Sequence, residues 1–276
     1  MSISAVIPCY NHWDSISFTL ESIINQTTPV KEIFIIDDAS LNKCPRNIKN
    51  ISSKIKIIRN TVNRGRGYCR NIGVEFSTGD YILMVDATNY IENKFIEKSL
   101  HHFCDKSILS VSGTLRSISQ TTMLSRWRSR HLFKEQSIGK KSIKSQMMIT
   151  YGTLISREVL DRAGGFNKNL RYKEDQELGD RIKNLNLFVV GDPNISIFCS
   201  KSNSLTEVLE RYARWYMDIN EKPSFRGYLH NIKGSFSPMI KKDLSDGDYM
   251  SAFVSLLTPH FQLYYSFKQY LKNKAH

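Results

Sequence analysis

The chain is short of acid. Its 276 residues hold 26 Asp and Glu against 39 Lys and Arg, a formal net charge of +13. Such a balance points to an anionic partner: nucleic acid, a phospholipid surface or a phosphorylated substrate. A lysine-rich composition without a specific partner is the plainer reading. Cysteine is scarce too, and the five present, Cys9, Cys44, Cys69, Cys104 and Cys199, form no CxxC pair. A disulfide framework and a thiolate zinc site are both excluded, and reduced thiols in a cytoplasmic protein are expected. Residues 1–10 lack the basic start, apolar core and small-residue cleavage site of a secretory signal. No run of about 18 strongly apolar residues marks a membrane span. Internal repeats and Gly/Ser- or Pro-rich linkers are also missing, so no sharp domain boundary is readable.

What is present is ordinary in composition, 41% hydrophobic and 24% charged, and long enough for one large α/β domain with an appendage. Short β-branched runs alternate with helical periodicity. "ISAVIP" (3–8), "EIFIID" (32–37), "KIKIIR" (54–59), "YILMV" (81–85) and "ILSVSG" (108–113) read as strands. Ile16, Leu20, Ile23 and Ile24 recur at helical spacing, and further helices are expected over about 66–77 and 93–103. This rhythm predicts a mostly parallel, doubly wound sheet with helices on both faces.

Several strand ends carry polar residues. "PCYN" (8–11) follows the first strand and "DDAS" (37–40) the second, while "GDYILMVDATNY" (79–90) ends its strand on Asp86. In a doubly wound sheet these loops emerge on one edge, so Tyr10, Asp37, Asp38 and Asp86 can converge on one crevice. "NRGRGYCRNIG" (63–73) places Gly65 and Gly67 before a helix carrying Arg70 and Asn71. Glycines permit close backbone approach there, and a helix start beside Arg favours a diphosphate. A structural turn is the other reading. The stretch is neither a dinucleotide fingerprint nor a P-loop, because the third glycine and the Gly-Lys-Ser/Thr are missing. In "GGFNKNLRYKEDQELGDRI" (164–182), Leu178, Ile182 and Leu185 set a helical period that puts Glu174 and Asp175 on a first turn. Acids there complement the helix dipole; a carboxylate base able to take a proton from a hydroxyl is the functional alternative.

Two later segments differ. Residues 115–144 hold eight Lys and Arg against Glu135 alone, a local charge of +7. The tail from about Leu205 is aromatic and basic, with "VLERYARWYMDI" strongly helical and no charged residue from Tyr249 to Phe267. That tail either lies in a membrane interface with Lys268, Lys272 and Lys274 near phosphates, or packs on the main domain as an amphipathic helical pair.

Taken in order, "AVIPCYN", "IIDDAS", "NRGRGYCRNIG", "GDYILMVDAT" and "GGFNKNLRYKEDQELGDRI" resemble the signature blocks of family 2 inverting glycosyltransferases with the GT-A fold, over residues 3 to about 190. The resemblance implies a GT-A domain over 1–203, with a nucleotide-sugar half to about 113 and an acceptor half over 114–203, and a helical region over 204–276. It also implies that Pro8, Tyr10, Asp38, Gly65, Arg70, Asp86 and Ala87 hold the donor, with Arg70 near the diphosphate. Asp175 would be the catalytic base, with Glu174 beside it. Asp86 would bind a divalent ion, Mg²⁺ or Mn²⁺. The family's usual second metal-binding acid is replaced by Thr88, leaving Thr88 or Asn89 as the further ligand.

The implied reaction is in-line displacement at the anomeric carbon of a nucleoside-diphosphate sugar by an acceptor hydroxyl. The acceptor would be a glycan or a lipid-linked one, and the setting the cytoplasm, with an anionic membrane face as a further partner. The basic 115–144 segment is expected near the donor or a phosphorylated acceptor. Three rivals exist. A sugar-1-phosphate nucleotidyltransferase would need a Gly-Thr-Arg loop where "PCYN" stands. A nucleic-acid binder would show a recognised motif, and none is present. A non-catalytic GT-A module is the third, suggested by Thr88.

Overall fold

The computed structural model describes residues 1–118, 120–135, 139, 141–145, 148–171, 173–199, 204–216 and 222–274, with the backbone alone over 272–274. In chain order the first elements are β1 (Ile3–Cys9), α1 (Ile16–Ile24), β2 (Glu32–Asp37), α2 (Arg46–Asn50), β3 (Ile55–Arg59), α3 (Arg66–Phe76) and β4 (Tyr81–Val85). Then come β5 (Asn89–Ile91), α4 (Phe95–His102), β6 (Ile108–Ser117), α5 (Met123–Trp127) and β7 (Ile143–Ser145). They are followed by β8 (Gly152–Ser156), α6 (Arg157–Arg162), α7 (Glu174–Lys183) and β9 (Phe188–Cys199). Helices α8 (Leu205–Tyr216), α9 (Phe225–Gly234), α10 (Lys241–Ser245) and α11 (Tyr249–Lys274) complete the chain.

The chain divides into two compact units. The first comprises Met1–Arg116 and Ile138–Lys201, the second Ser117–Ser137 and Ser202–His276. Residues 117–137 therefore cluster with the C-terminal helices, not with the first domain as the sequence suggested.

Unit one is built on a sheet in the order β3-β2-β1-β4-β8-β6-β9-β5, with β7 paired to β9. Strands β1 and β2 are buried at every residue, as continuous apolar runs covered on both faces should be. The parallel half matches expectation: β1 pairs in parallel with β2 and β4, and β2 with β3. The other half corrects it, since β8 runs antiparallel to β4 and β6, and β9 antiparallel to β5 and β7. The sheet is mixed. Pro8, with no N–H to give, lies past the last registered pair of β1 with β4, Val6↔Met84. Helices α3 and α7 close over Val6, Ile82, Met84 and Ile155 through Val74, Leu178 and Ile182. Leu185 packs against this cluster, completing the predicted stripe of α7.

Unit two is helical, and its core joins Trp127 and Leu132 to Val208, Leu209, Met239 and Val254. A polar network runs through it. The fully buried Asp243 receives Arg130, His131 Nε2 at 2.7 Å and Ser255 Oγ at 2.6 Å. Trp127 Nε1 donates to the same Ser255 oxygen at 2.9 Å. Arg126 grips Asp248 at 2.7 and 3.1 Å, and Arg130 also reaches Asp246 at 3.1 Å. The cations of the basic segment are thus largely engaged within the protein. Arg116 bonds Ser196 and the Pro193 carbonyl, Lys144 pairs with Asp105, and Lys134 sits over the Tyr216 ring. Lys140 lies outside the described residues, as does the end of "VLERYARWYMDI" at 217–219. The tail from Leu205, for which a helical pair is one of the two readings, holds α8, α9, α10 and α11, and its uncharged stretch 249–267 lies in the single helix α11, which carries Pro259 within it. Among the described residues no helix is long and apolar enough to cross a membrane.

Removing one member of a buried charge network strands its partners. Asp243→Ala should therefore lower the unfolding free energy by about 3–5 kcal/mol, read as a fall in the urea midpoint. A change within about 0.5 kcal/mol would mean that Arg130 and His131 find water instead.

Candidate active site

The loops after β1 and β2 are stitched to each other. Asn11, in the left-handed region at φ 58°, donates its backbone N–H to Ser40 Oγ at 2.9 Å. Its Oδ1 accepts from the Leu41 N–H at 2.7 Å. Asp37 ends β2 in an ion pair with Arg59 at 2.6 Å and accepts the Ser40 N–H at 2.9 Å. Asp38 donates its own N–H to the Cys9 carbonyl. Its carboxylate accepts Asn60 Nδ2 at 2.9 Å and the N–H groups of Arg64 and Gly65, both at 2.8 Å. Asp38 therefore holds the start of α3 in place. Gly65 turns into that helix at φ 92°, a conformation L side chains rarely adopt. Pro8 is buried in β1, whereas Tyr10 protrudes with 43% of its surface exposed.

Arg70, one turn into α3, is the centre of the site. Its side chain is 1% exposed. One guanidinium nitrogen lies 2.5 Å from Glu174 Oε1 and another 3.1 Å from Asp86 Oδ1, while Phe166 faces the group at 5.6 Å. A buried cation is stable only with such partners. The neighbouring residue does the same for the backbone: Asn71 donates to the Phe166 carbonyl at 2.7 Å and accepts its N–H at 2.9 Å. A Cβ on Gly67 would lie 3.2 Å from Glu174 Cβ, so the missing methyl lets α3 approach the start of α7. Three remote segments, the α3 start, the β4 end and the α7 start, thus meet at one guanidinium. Arg70 is not open to a ligand. The exposed cation beside Asp86 is Arg66, whose guanidinium lies 3.8 Å from Asp86 Oδ2. The sequence reading overlooked Arg66, although it stands four residues before Arg70 on the same helix face.

Helix α7 begins after Lys173, which is left-handed at φ 58°. Glu174 is buried and committed to Arg70. Asp175 is half-buried and accepts the Gln176 N–H at 2.9 Å. Its carboxyl is held above the usual carboxylate range, first by burial and then by the Glu174 charge, with the Arg70 guanidinium opposing both. A carboxylate of raised proton affinity beside an engaged neighbour has the properties of a general base.

The donor set for a metal is thin. Among the described residues no three His, Cys, Asp or Glu are placed to share one ion. Asp86 supplies one carboxylate at the strand end. Thr88 is buried, and Asn89 gives its amide N–H to the Tyr151 carbonyl at 2.9 Å. The Ala87 carbonyl accepts from Ser15 and Thr19 of the α1 region at 3.3 and 3.2 Å. Mg²⁺ commonly takes one or two carboxylates and completes its shell with phosphate and water, so these residues fit a metal that arrives with a diphosphate.

A model of the glycosyl transferase family 2 matches residues 4–164. The chain belongs to that family. The match takes in Asp38, Arg70 and Asp86, while Glu174 and Asp175 lie beyond it. The hyaluronan synthase of Streptococcus pyogenes is 33% identical over 134 residues, which is 45% of this chain and 32% of the synthase. The chain spans about a third of that curated relative's length. S. aureus TarS, in a crystal structure with UDP, superposes with a TM-score of 0.57 at 19% identity, over 77% of this chain and 64% of that one. The mannosyltransferase PcManGT from Pyrobaculum calidifontis, with GDP-Man and Mn²⁺, gives a TM-score of 0.60 at 16% identity over 94% and 73%. At these identities the likeness is one of fold, and the fold is GT-A.

The raised proton affinity of Asp175 has a consequence for stability. In the unfolded chain the group ionises in the usual carboxylate range; in the folded one it resists ionisation. Folding is therefore penalised above the unfolded value, in full once pH passes the folded one. Asp175→Asn should melt at a higher temperature than the parent at pH 7, and the difference should shrink as pH falls towards the carboxylate range. Differential scanning calorimetry across pH 4–8 checks this, and a pH-independent difference would remove burial of the charge as the cause.

Proposed function

We propose that this protein is an inverting glycosyltransferase that moves a sugar from a nucleoside-diphosphate sugar to an acceptor hydroxyl, in the assembly of a cell-surface glycan or polysaccharide. The observation that carries the reading is the buried Arg70, which ties Asp86 at the end of a sheet strand to Glu174, beside a carboxylate poised as a base. Family membership supports sugar transfer, and the relative named above is a hyaluronan synthase. UDP and GDP-Man, bound by the two structural neighbours, are the natural probes.

In this reading Asp175 takes the proton of the acceptor hydroxyl as that oxygen bonds to the anomeric carbon. The bond from carbon to the diphosphate breaks on the opposite side, and the nucleoside diphosphate leaves with the electron pair. Tyr10 and Asp38 border the nucleoside, Pro8 and Gly65 shape the backbone beneath it, and Asp86 with Ala87 lies towards the diphosphate. Arg70 positions both acids, and Arg66 offers exposed charge to the leaving group. A divalent ion, Mg²⁺ or Mn²⁺, held by Asp86 with Thr88 or Asn89, would supply further charge to that group. The acceptor is a glycan or a lipid-linked glycan, and the five free thiols favour the cytoplasm as the setting. The competing reading, a non-catalytic module that binds a sugar nucleotide or a partner glycosyltransferase, rests on Thr88.

Two measurements separate these. Asp175→Asn should retain donor binding and lower turnover about 10²-fold or more, and wild-type turnover in that variant removes Asp175 from the mechanism. Calorimetric titration of UDP and GDP should show metal-dependent affinity that Thr88→Asp strengthens. Equal affinity with EDTA and with Mn²⁺, in both proteins, would exclude Asp86 as a metal ligand. Nucleotide binding without any sugar transfer would favour the module.

A further inference from the structure

Helix α11 is inside out. Its buried side carries Ser251, Ser255, Thr258 and Gln262 along with Ala252, Val254 and Tyr265. Its exposed side carries Tyr249, Phe253, Leu256, Tyr264, Phe267 and Leu271, each between 39% and 74% exposed. Together with the exposed His260 these residues form one stripe, taking six steps from 249 to 271, about 33 Å of helix. Acids of unit two meet two of these inward polar residues, Ser251 donating to Asp248 at 2.8 Å and Ser255 to Asp243 at 2.6 Å, while Thr258 donates to the Val254 carbonyl at 2.9 Å. Partners within unit two thus account for Ser251, Ser255 and Thr258 facing inward, and the outward aromatics have no such reason among the described residues.

The stripe does not stand alone. Among the described residues, fourteen of the twenty-one exposed large hydrophobic side chains belong to unit two, which has about a third of the sequence. They include Phe225 and Leu229 of α9, a helix with no buried residue at all. The Tyr228 hydroxyl meets His260 Nδ1 at 2.9 Å, so α9 lies against the stripe.

We infer that this face of unit two docks on an anionic lipid bilayer, with α11 lying in the plane of the interface. Three observations choose that occupant. The first is period: the stripe advances about 3.7 residues per step, close to the 3.6 of an α-helix, so it keeps to one side of α11. At 100° per residue the seven positions stay within about 80° of one another around the helix, as a flat surface demands. The second is charge. Helix α11 contains three Lys and no Asp or Glu, and the exposed Lys268 sits beside Phe267. Unit two as a whole holds fourteen Lys and Arg against eight Asp and Glu, and setting aside Arg126 and Arg130 together with the Asp248 and Asp243 they pair with leaves that basic excess unchanged. The third is composition, since aromatic side chains with tyrosine hydroxyls suit the headgroup boundary. This inference is independent of sugar transfer and is tested without it.

The test is flotation of the full chain with vesicles of 30% phosphatidylglycerol in phosphatidylcholine, beside vesicles of phosphatidylcholine alone. The chain should float with the anionic vesicles, less so as salt rises from about 0.05 to 0.5 M, and bind the neutral ones at least tenfold more weakly. Phe253→Ser with Phe267→Ser should cut anionic binding about tenfold or more, with the melting temperature unchanged because both side chains are exposed. A milder pair, Phe253→Leu with Phe267→Leu, should retain most binding. Sedimentation velocity supplies the remaining outcome: a monomer in wild type and variant agrees with docking on lipid. A wild-type dimer that the serine variant dissolves, or a chain that stays with neither vesicle at low salt, overturns the inference.

Discussion

A guanidinium without water must be surrounded by acceptors, and that requirement organises unit one. Arg70 cannot be buried unless Asp86 and Glu174 both reach it. The end of β4 and the first turn of α7 are therefore fixed by the same group, although they lie 88 residues apart in the chain. The surrounding details serve this junction. Gly67 leaves room for Glu174, Asn71 clamps the Phe166 backbone, and Asp38 holds the loop from which α3 starts. The arrangement does not need to add to stability; its effect is to leave the acids one geometry in which all three charges are satisfied.

Unit two uses the same device with the signs exchanged. There a buried carboxylate, Asp243, collects Arg130, His131 and Ser255. This changes what a net charge of +13 means. A count of basic residues over 115–144 suggests a surface for phosphates, yet Arg126 and Arg130 neutralise acids of their own unit. Formal charge measures composition, and only the pairing shows which cations face outward.

The legible parts of the chain were those governed by local pattern. Strands β1, β2 and β4 are buried on both faces and read as largely apolar runs, and the α7 stripe announced itself through Leu178, Ile182 and Leu185. The antiparallel half was not legible, because β5, β7 and β8 are three to five residues long and have no hairpin turn to set their partners. The site blocks were readable in type and order, and the structure brings Asp86, Arg70 and Glu174 into direct contact. The engagement of Arg70 was not readable, since nothing in a sequence tells a buried guanidinium from an exposed one. Nor was the aspect of α11: an amphipathic pattern gives two faces without saying which is inside, and here the buried acids of the network claim the polar one.

The pairing of Glu174 with Arg70 makes the acidity of Asp175 a shared property. Glu174 raises its proton affinity, Arg70 lowers it, and the burial that dominates depends on the packing of both helices. The proton affinity of one carboxyl is thus distributed over α3 and α7. A substitution that shifts α3 by a fraction of an ångström would retune that acid without touching it, so neutral-looking changes far from residue 175 can move the pH at which Asp175 ionises.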